Sequence, residues 1–542
     1  MRMVEELYYN GQIFTSNTEQ LYASAMVVKS GKIVWVGNQR DVKKEGKKLI
    51  DLQGRRVLPG FIDAHMHPLL LAEVEQQIYC GPPLINSIEQ LLYEIRKKYE
   101  VIKENKKDEW IRGWGFDEAK LREQREITRW DLDRVAPDIP VIITRACSHI
   151  IIVNSFALKL AGIDRYTTSP IGGQIDVDAR GEINGILREK ARYLFYDIIS
   201  DLTLAENAQL LTKLSCKLSS QGITTVTDMM SKNSPIDYYD LYKTATSLGY
   251  KQRTVLYYIW EDLQHVTTLP KTQLDSLEPI HIGGVKLFAD GSISGKTAWV
   301  EQPYLGDGNN TGLAITTEEE LLQAADFAKK QGIQLVVHAM GEKAIKLIVD
   351  TFANQEMWIQ DAPSIRIEHG SFPTIETLKK AQNAGIGFVT QPIFLFAEYD
   401  SYLNNLGVSR VEKSYPFKTM LEHGVTFSFS SDAPATSWPD PSDPFIGIKA
   451  AVTRKTYTGL EFNQNERVTI EEAVLLYTKY AQQIIRVPKI GQLKPGYFAD
   501  FIVLDRDILT VHPEEIDEIK VLETYSGGEK IFSLEELTKA SG

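Results

Sequence analysis

Val57-Leu-Pro-Gly-Phe-Ile-Asp-Ala-His-Met-His67 is the stretch on which the fold of this chain turns. It is an apolar run that ends on two histidines one residue apart. Side chains alternate between the faces of a strand, so residues two apart point the same way. His65 and His67 can therefore present two imidazoles to one ion at a strand's end. An isolated His-x-His pair is as readily two solvated or core histidines. The apolar strand leading directly into this one makes it a candidate metal site.

Further short apolar or β-branched runs follow downstream, at Thr224–Met229, Thr254–Trp260, Gly284–Phe288, Gln334–His338, Ile365–His369, Gly387–Gln391 and Thr426–Ser430. They have the composition of buried parallel strands. Helical patterns separate several of them, notably Leu204–Gln221, Thr317–Gln331, Lys343–Phe352, Ile375–Ala384 and Ile470–Ile485. With Val57–Asp63 as the first strand, the alternation predicts an α/β fold, a (β/α)8 TIM-like barrel over residues 57–487. Roughly 150 residues separate the first two strands, far more than a βα crossover requires. Residues 70–205 therefore read as an insertion over the catalytic face. It holds a charged helix (Ile88–Lys107), the aromatic stretch Gly113-Trp-Gly-Phe-Asp117 and the strand Val141–Thr144. The two ends are rich in short strands and turns such as Asn10-Gly11 and Ser30-Gly31-Lys32, the latter a hairpin signal. Residues 1–56 and 488–542 are thus expected to form one small composite β-sandwich.

At 542 residues, with 43% hydrophobic and 24% charged residues, the chain is an ordinary globular protein of more than one domain. Its net charge of −12 and pI near 5.4 disfavour nucleic acid or an anionic membrane as partner. Cys80, Cys147 and Cys216 are widely spaced and form no CxxC pair, which suggests a reducing compartment. Met1–Tyr9 lacks the basic and apolar regions of a signal peptide, and no apolar stretch of about 18 residues occurs. The expected location is the cytoplasm.

Two more histidines end strands, His338 after Leu335-Val-Val and His369 after Ile365-Arg-Ile-Glu, and Asp432 follows Phe427-Ser-Phe-Ser-Ser. Each alone reads equally as a strand cap or a turn residue. Their order changes that. Val57–His67, Gly222-Ile-Thr-Thr-Val226, Val285-Lys-Leu-Phe-Ala-Asp-Gly-Ser292, His338-Ala-Met-Gly341, Ile367-Glu-His-Gly370, Ser431-Asp-Ala-Pro434 and Gly491-Gln-Leu-Lys-Pro-Gly-Tyr-Phe-Ala-Asp500 together resemble the amidohydrolase superfamily, in its amidohydrolase 3 (YtcJ-like) branch. The resemblance spans nearly the whole chain and includes Gly113–Asp117, Ser148-His149 and Asn154–Leu158 in the insertion.

The resemblance implies a divalent metal, zinc by preference, one or two ions per chain, held by His65, His67, His338, His369 and Asp432, with Asp432 also the general base. It implies that Lys286 is a ligand too, because relatives carry a lysine there that carbon dioxide converts to a metal-bridging carbamate. By itself a strand lysine is more often an ion-pair partner or snorkels to solvent. His149 is implied as a catalytic or substrate-contacting residue. Trp114, Asp117 and Asp290 are further substrate-site candidates, Asp290 being equally a turn builder. His265, His281, His423 and His512 read as structural or solvated. Relatives often carry Asp where this chain has Glu342. The expected activity is hydrolysis of an amide or related C–N bond of a small molecule. An esterase or lactonase is the alternative, and a non-catalytic binding protein is disfavoured because every candidate ligand is present. Relatives also imply a homodimer.

Overall fold

The computed structural model describes residues 4–105, 109–145, 150–170, 173–195, 198 and 202–541. They divide into two compact units, Met1–Pro68 with Asn207–Thr436 and Pro441–Gly542, and Leu69–Glu206 with Ser437–Asp440.

The first unit is built on an eight-stranded parallel sheet. Its strands are β1 (Phe61–Met66), β2 (Ile223–Ser231), β3 (Arg253–Ile259), β4 (Ile280–Phe288), β5 (Gln334–Ala339), β6 (Ile365–His369), β7 (Gly387–Thr390) and β8 (Phe427–Phe429). Neighbours in sequence pair in parallel throughout. At the carboxyl ends β8 meets β1: Asp432 N donates to His65 O (2.8 Å) and His67 N to Ala433 O (2.8 Å). Those two bonds close the barrel beside the His-x-His pair. Helices cover the outside by ordinary amphipathic logic. Helix Glu318–Gln331 begins at the Thr317 cap and ends at Gly332 with φ 71°, and it buries Leu321, Ala324, Ala325, Phe327 and Ala328 on one face.

Val57–Asp63 is not one strand. Arg56–Pro59 joins a sheet of the terminal domain, pairing antiparallel with Phe501–Leu504, and β1 starts at Phe61. Gly60 is the break. A Cβ there would stand 2.4 Å from the Thr224 side chain, so only glycine lets the chain pass from one sheet to the other. The helical pattern Ile470–Ile485 also divides, into Ile470–Leu476 and Lys479–Ile485. Thr478 has φ −129° and ψ −90°, and its hydroxyl donates back to Val474 O (2.6 Å). The neighbouring Tyr477 carbonyl accepts Ile62 N of β1 (2.9 Å), which draws the chain out of the helical path.

Both termini build the terminal domain. A four-stranded sheet (Lys32–Gly37, Ala25–Lys29, Glu5–Tyr9, Lys47–Asp51) and a six-stranded one carrying Phe501–Leu504 and Val521–Ser526 enclose Tyr8, Met26, Val28, Ile33, Val57, Phe501 and Tyr525. Arg56 ties the two termini with a bidentate pair to Asp507, 2.6 Å on each arm. Its side chain is 7% exposed. Asp507→Ala would leave that buried guanidinium without a counter-ion and with only Gln12 Oε1 at 3.1 Å, and it should cost about 2–4 kcal/mol of stability. Calorimetric melting checks this; an unchanged melting temperature would contradict it.

The second unit is a mixed six-stranded sheet. Ile78–Tyr79, Ile111–Phe116 and Val141–Arg145 run parallel, and Ile150–Val153, Ile183–Glu189 and Gly173–Val177 continue antiparallel. Helix Ile88–Asn105 buries Ile88, Leu91, Leu92, Ile95 and Ile102. Asn154 is fully buried and all its bonds are local. Its side-chain carbonyl accepts Val141 N and Ala157 N, and its amide donates to Ala136 O and Ile139 O. The Asn154–Leu158 motif is accounted for as a helix cap.

No helix among the described residues is long and apolar enough to cross a membrane.

Candidate metal centre

β1, β5, β6 and the segment after β8 deliver four imidazoles and one carboxylate to the carboxyl end of the barrel. The rings of His65 and His369 are 4.8 Å apart, those of His338 and His369 4.4 Å, and those of His65 and His67 5.5 Å. Asp432 Oδ1 lies 3.2 Å from His65 Nε2 and 2.9 Å from His67 Nε2. Oδ2 lies 3.9 Å from His369 Nδ1. The ligand atoms of His65, His67 and Asp432 all fall within 4.8 Å of one another. Tetrahedral ligands at zinc distances stand roughly 3.4 Å apart, so the spacing fits one ion.

Hydrogen bonds fix which ring nitrogens are available. His65 Nδ1 is held by Glu368 Oε2, which leaves Nε2. His369 Nδ1 donates to Gln391 Oε1 (2.9 Å), and Gln391 is oriented because its Nε2 donates to Ser430 Oγ (2.9 Å). His338 Nε2 donates to Gly291 O (3.0 Å), which leaves Nδ1. Each ring thus keeps one lone pair and is locked by the other nitrogen, as metal-ligating histidines are. His67 Nδ1 is buried without a hydrogen bond to any described residue.

Lys286 lies on β4, 1% exposed. Among the described residues its Nζ makes no hydrogen bond, and it stands 5.1 Å from the centre of the Phe288 ring. Burial pulls its pKa down to about 8. A buried, unpartnered amine is costly unless it has a further reaction or ligand.

Asp432 and His65 each hold the other in its charged form, whereas burial keeps His338 and His369 neutral. Burial alone would raise the Asp432 carboxyl, yet the charge and hydrogen bonds of His65 and the bond from His67 hold it well below the usual range. Burial lowers His65, but Asp432 and Glu368 overcome that and raise it. His338 is pushed down to about 3, chiefly by burial. Burial raises Asp63 to about 6, and Asp63 Oδ1 accepts from His65 N and Ser431 N at 3.2 Å each. Neutral imidazoles at His338 and His369 beside an ionised Asp432 are the donor forms that a divalent ion takes. Backbone strain points the same way. His369 and Asp432, both non-glycine, sit at φ 68° and 56°, a conformation that costs of order 1–3 kcal/mol per residue and clusters at functional sites.

The left-handed turn at His369 also explains a residue hidden from strand alternation. Glu368 and His369 are adjacent and should face opposite sides of β6. His369 leaves the strand with positive φ, so both reach the centre, Glu368 on His65 and His369 on Asp432. Gln391, Asp63 and Asp228 were likewise missed. Asp228, fully buried on β2, accepts Tyr242 Oη (2.7 Å) and Met230 N (3.0 Å).

The other candidates fall differently. Asp290 accepts three backbone N–H groups, from Met340 (2.9 Å), Gly341 (2.8 Å) and Trp299 (2.8 Å). Its oxygens brace the turn after β4 against the end of β5, the turn-building alternative. Glu342 begins the helix after β5 and accepts Glu301 N (3.3 Å). Trp114 and Asp117 belong to the second unit. There Trp114 packs edge-on to Tyr79 and Asp117 pairs with Arg145 (3.4 Å). His149 and Cys147 lie outside the described residues.

His281, His423 and His512 make local bonds, to Glu278 O, Thr419 O and Glu514 N. Burial pushes His281 down to about 4 from 6.5, so folded His281 stays neutral where an unfolded histidine takes a proton. Its contribution to stability is fully present above pH 6.5 and is lost as pH falls toward 4. At pH 5 wild type should lose about 2 kcal/mol relative to His281→Asn, read from urea midpoints at pH 7 and 5. Parallel pH dependences would contradict it.

The sequence profile of the amidohydrolase family matches residues 48–532. The chain is 28% identical to the Bacillus subtilis amidohydrolase YtcJ, covering 98% of this chain and 99% of that protein. It is also 28% identical to the N-substituted formamide deformylase of Arthrobacter pascens, over 97% and 98%. Among solved structures, an uncharacterized metal-dependent hydrolase from Pyrococcus horikoshii superposes with TM-score 0.76 at 26% identity, covering 94% of this chain and 99% of that one.

Proposed function

This chain belongs to the amidohydrolase family, and from that premise we propose that it hydrolyses an amide or related C–N bond of a small molecule at the centre formed by His65, His67, His338, His369 and Asp432. The carrying observation is the Asp432 carboxylate, set 2.9–3.2 Å from Nε2 of both His65 and His67. It is at once a ligand and a base beside the place where a water would be activated. A divalent ion held there would lower the pKa of a bound water and polarise the scissile carbonyl.

The chain's own groups supply the rest. Asp432, whose carboxyl is held ionised, takes the proton of the attacking water and returns it to the leaving nitrogen. The neutral amine of Lys286 would add through Nζ to carbon dioxide, forming an N–C bond as one C=O π pair moves onto oxygen and Nζ releases a proton, so that a neutral group becomes an anionic carbamate. Its buried, unpartnered amine supports that reading and a two-ion centre. The imidazole-rich donor set supports zinc. The net charge of −12 supports a small-molecule substrate in preference to nucleic acid. The name of the Arthrobacter relative, a deformylase of N-substituted formamides, supports cleavage at C–N.

The test is turnover of matched N-acyl amines and their ester counterparts by zinc-supplemented protein. Amides cleaved with kcat/KM at or above that of the esters support the proposal. Cleavage of esters alone would overturn it in favour of an esterase.

A further inference from the structure

A file of polar side chains runs through the barrel beneath His65. Tyr257 Oη donates to Gln334 Oε1 (2.7 Å) and accepts Arg366 Nη1 (2.7 Å). Arg366 Nε and Nη2 reach Glu368 Oε1 and Oε2 at 3.1 and 3.2 Å, and Glu368 Oε2 meets His65 Nδ1. All five residues are at most 1% exposed. Arg366 Nη2 also donates to Ala64 O (2.9 Å), the carbonyl next to His65. At the far end Gln334 Nε2 donates to Pro363 O (2.7 Å) and Ile484 O (3.0 Å). The guanidinium is anchored at both ends and cannot turn away from the carboxylate.

We propose that Glu368, locked in place by Arg366, is a positioning residue that fixes His65 as the Nδ1–H tautomer, so that its Nε2 lone pair faces the metal. A neutral imidazole carries one N–H and can place it on either nitrogen. With a carboxylate against Nδ1 the proton belongs there. Without it the ring populates the Nε2–H form, which offers no lone pair to the ion. The arrangement is costly to keep, because a buried ion pair is often no more stable than apolar side chains of the same volume. A role in setting His65 accounts for retaining it.

The inference rests on the metal reading above, and zinc affinity separates the two. Affinity is measured by competition with a chelating dye on metal-stripped protein, alongside thermal melting. Glu368→Gln replaces the carboxylate with an amide, which can turn either end toward His65 and no longer dictates the tautomer. This variant should therefore bind zinc about 10–100-fold more weakly than wild type. That single change leaves Arg366 buried without its counter-ion, so the double variant Arg366→Met/Glu368→Gln removes both charges together. It removes the buried unpaired charge, its melting temperature then reads only the lost bonds to Tyr257 and Ala64, and it should still bind zinc about 10–100-fold more weakly. A double variant that binds zinc as wild type does would overturn the inference and leave the metal centre standing. Wild type that binds no zinc would overturn the metal centre itself, and this inference with it.

Discussion

Asp432→Asn should lower kcat for the best amide substrate by about 10²–10⁴-fold, the range over which a positioned general base contributes. The asparagine amide keeps the shape of the side chain and can still place an oxygen near His65 and His67, but it cannot accept the water's proton. Among the described residues, Asp63, Asp290 and Glu368 are already committed and do not replace Asp432. Asp63 is engaged by His65 N and Ser431 N, Asp290 by three backbone N–H groups, and Glu368 by Arg366 and His65. The measurement is kcat at saturating substrate for protein whose metal content has been matched to wild type. A metal-loaded variant within a few-fold of wild type would remove Asp432 from the proton transfers.

Lys286→Ala should lower metal affinity by at least about 10–100-fold, the range seen when groups that hold a metal site together are removed. Among the described residues its Nζ makes no hydrogen bond and lies 5.1 Å from the centre of the Phe288 ring, so a broken hydrogen bond cannot account for the loss. Truncation also removes the desolvation penalty of the buried amine, so the apo variant should be no less stable than apo wild type. Metal titration and melting on the same samples check both. Wild-type metal content should rise when bicarbonate is supplied during loading, and the variant's should not. Undiminished zinc affinity with lowered melting would make Lys286 a structural residue.

Much of this was legible because barrel strands write themselves plainly. Gln334-Leu-Val-Val-His338 and Ile365-Arg-Ile-Glu-His369 are short apolar runs that stop on a histidine, and β5 and β6 end within one residue of those expectations. His65, His67, His338, His369 and Asp432 come together as their positions at strand ends imply. What stayed hidden depends on backbone and on partners distant in sequence. Glu368 was out of sight because the positive φ of His369 breaks the alternation that sequence reading relies on. The splitting of Val57–Asp63 at Gly60 depends on Thr224, far along the chain. The break at Thr478 depends on a carbonyl diverted to β1. Asp290 was ambiguous because a carboxylate after a strand serves a ligand or a turn equally well, and only its three backbone donors decide between them.

The most direct test is the metal content of the protein purified without chelator, measured by elemental analysis per chain. About one to two divalent ions per chain are expected, removed by chelation together with activity and restored with it on adding zinc. No bound metal, even after zinc or manganese is added, would contradict that expectation.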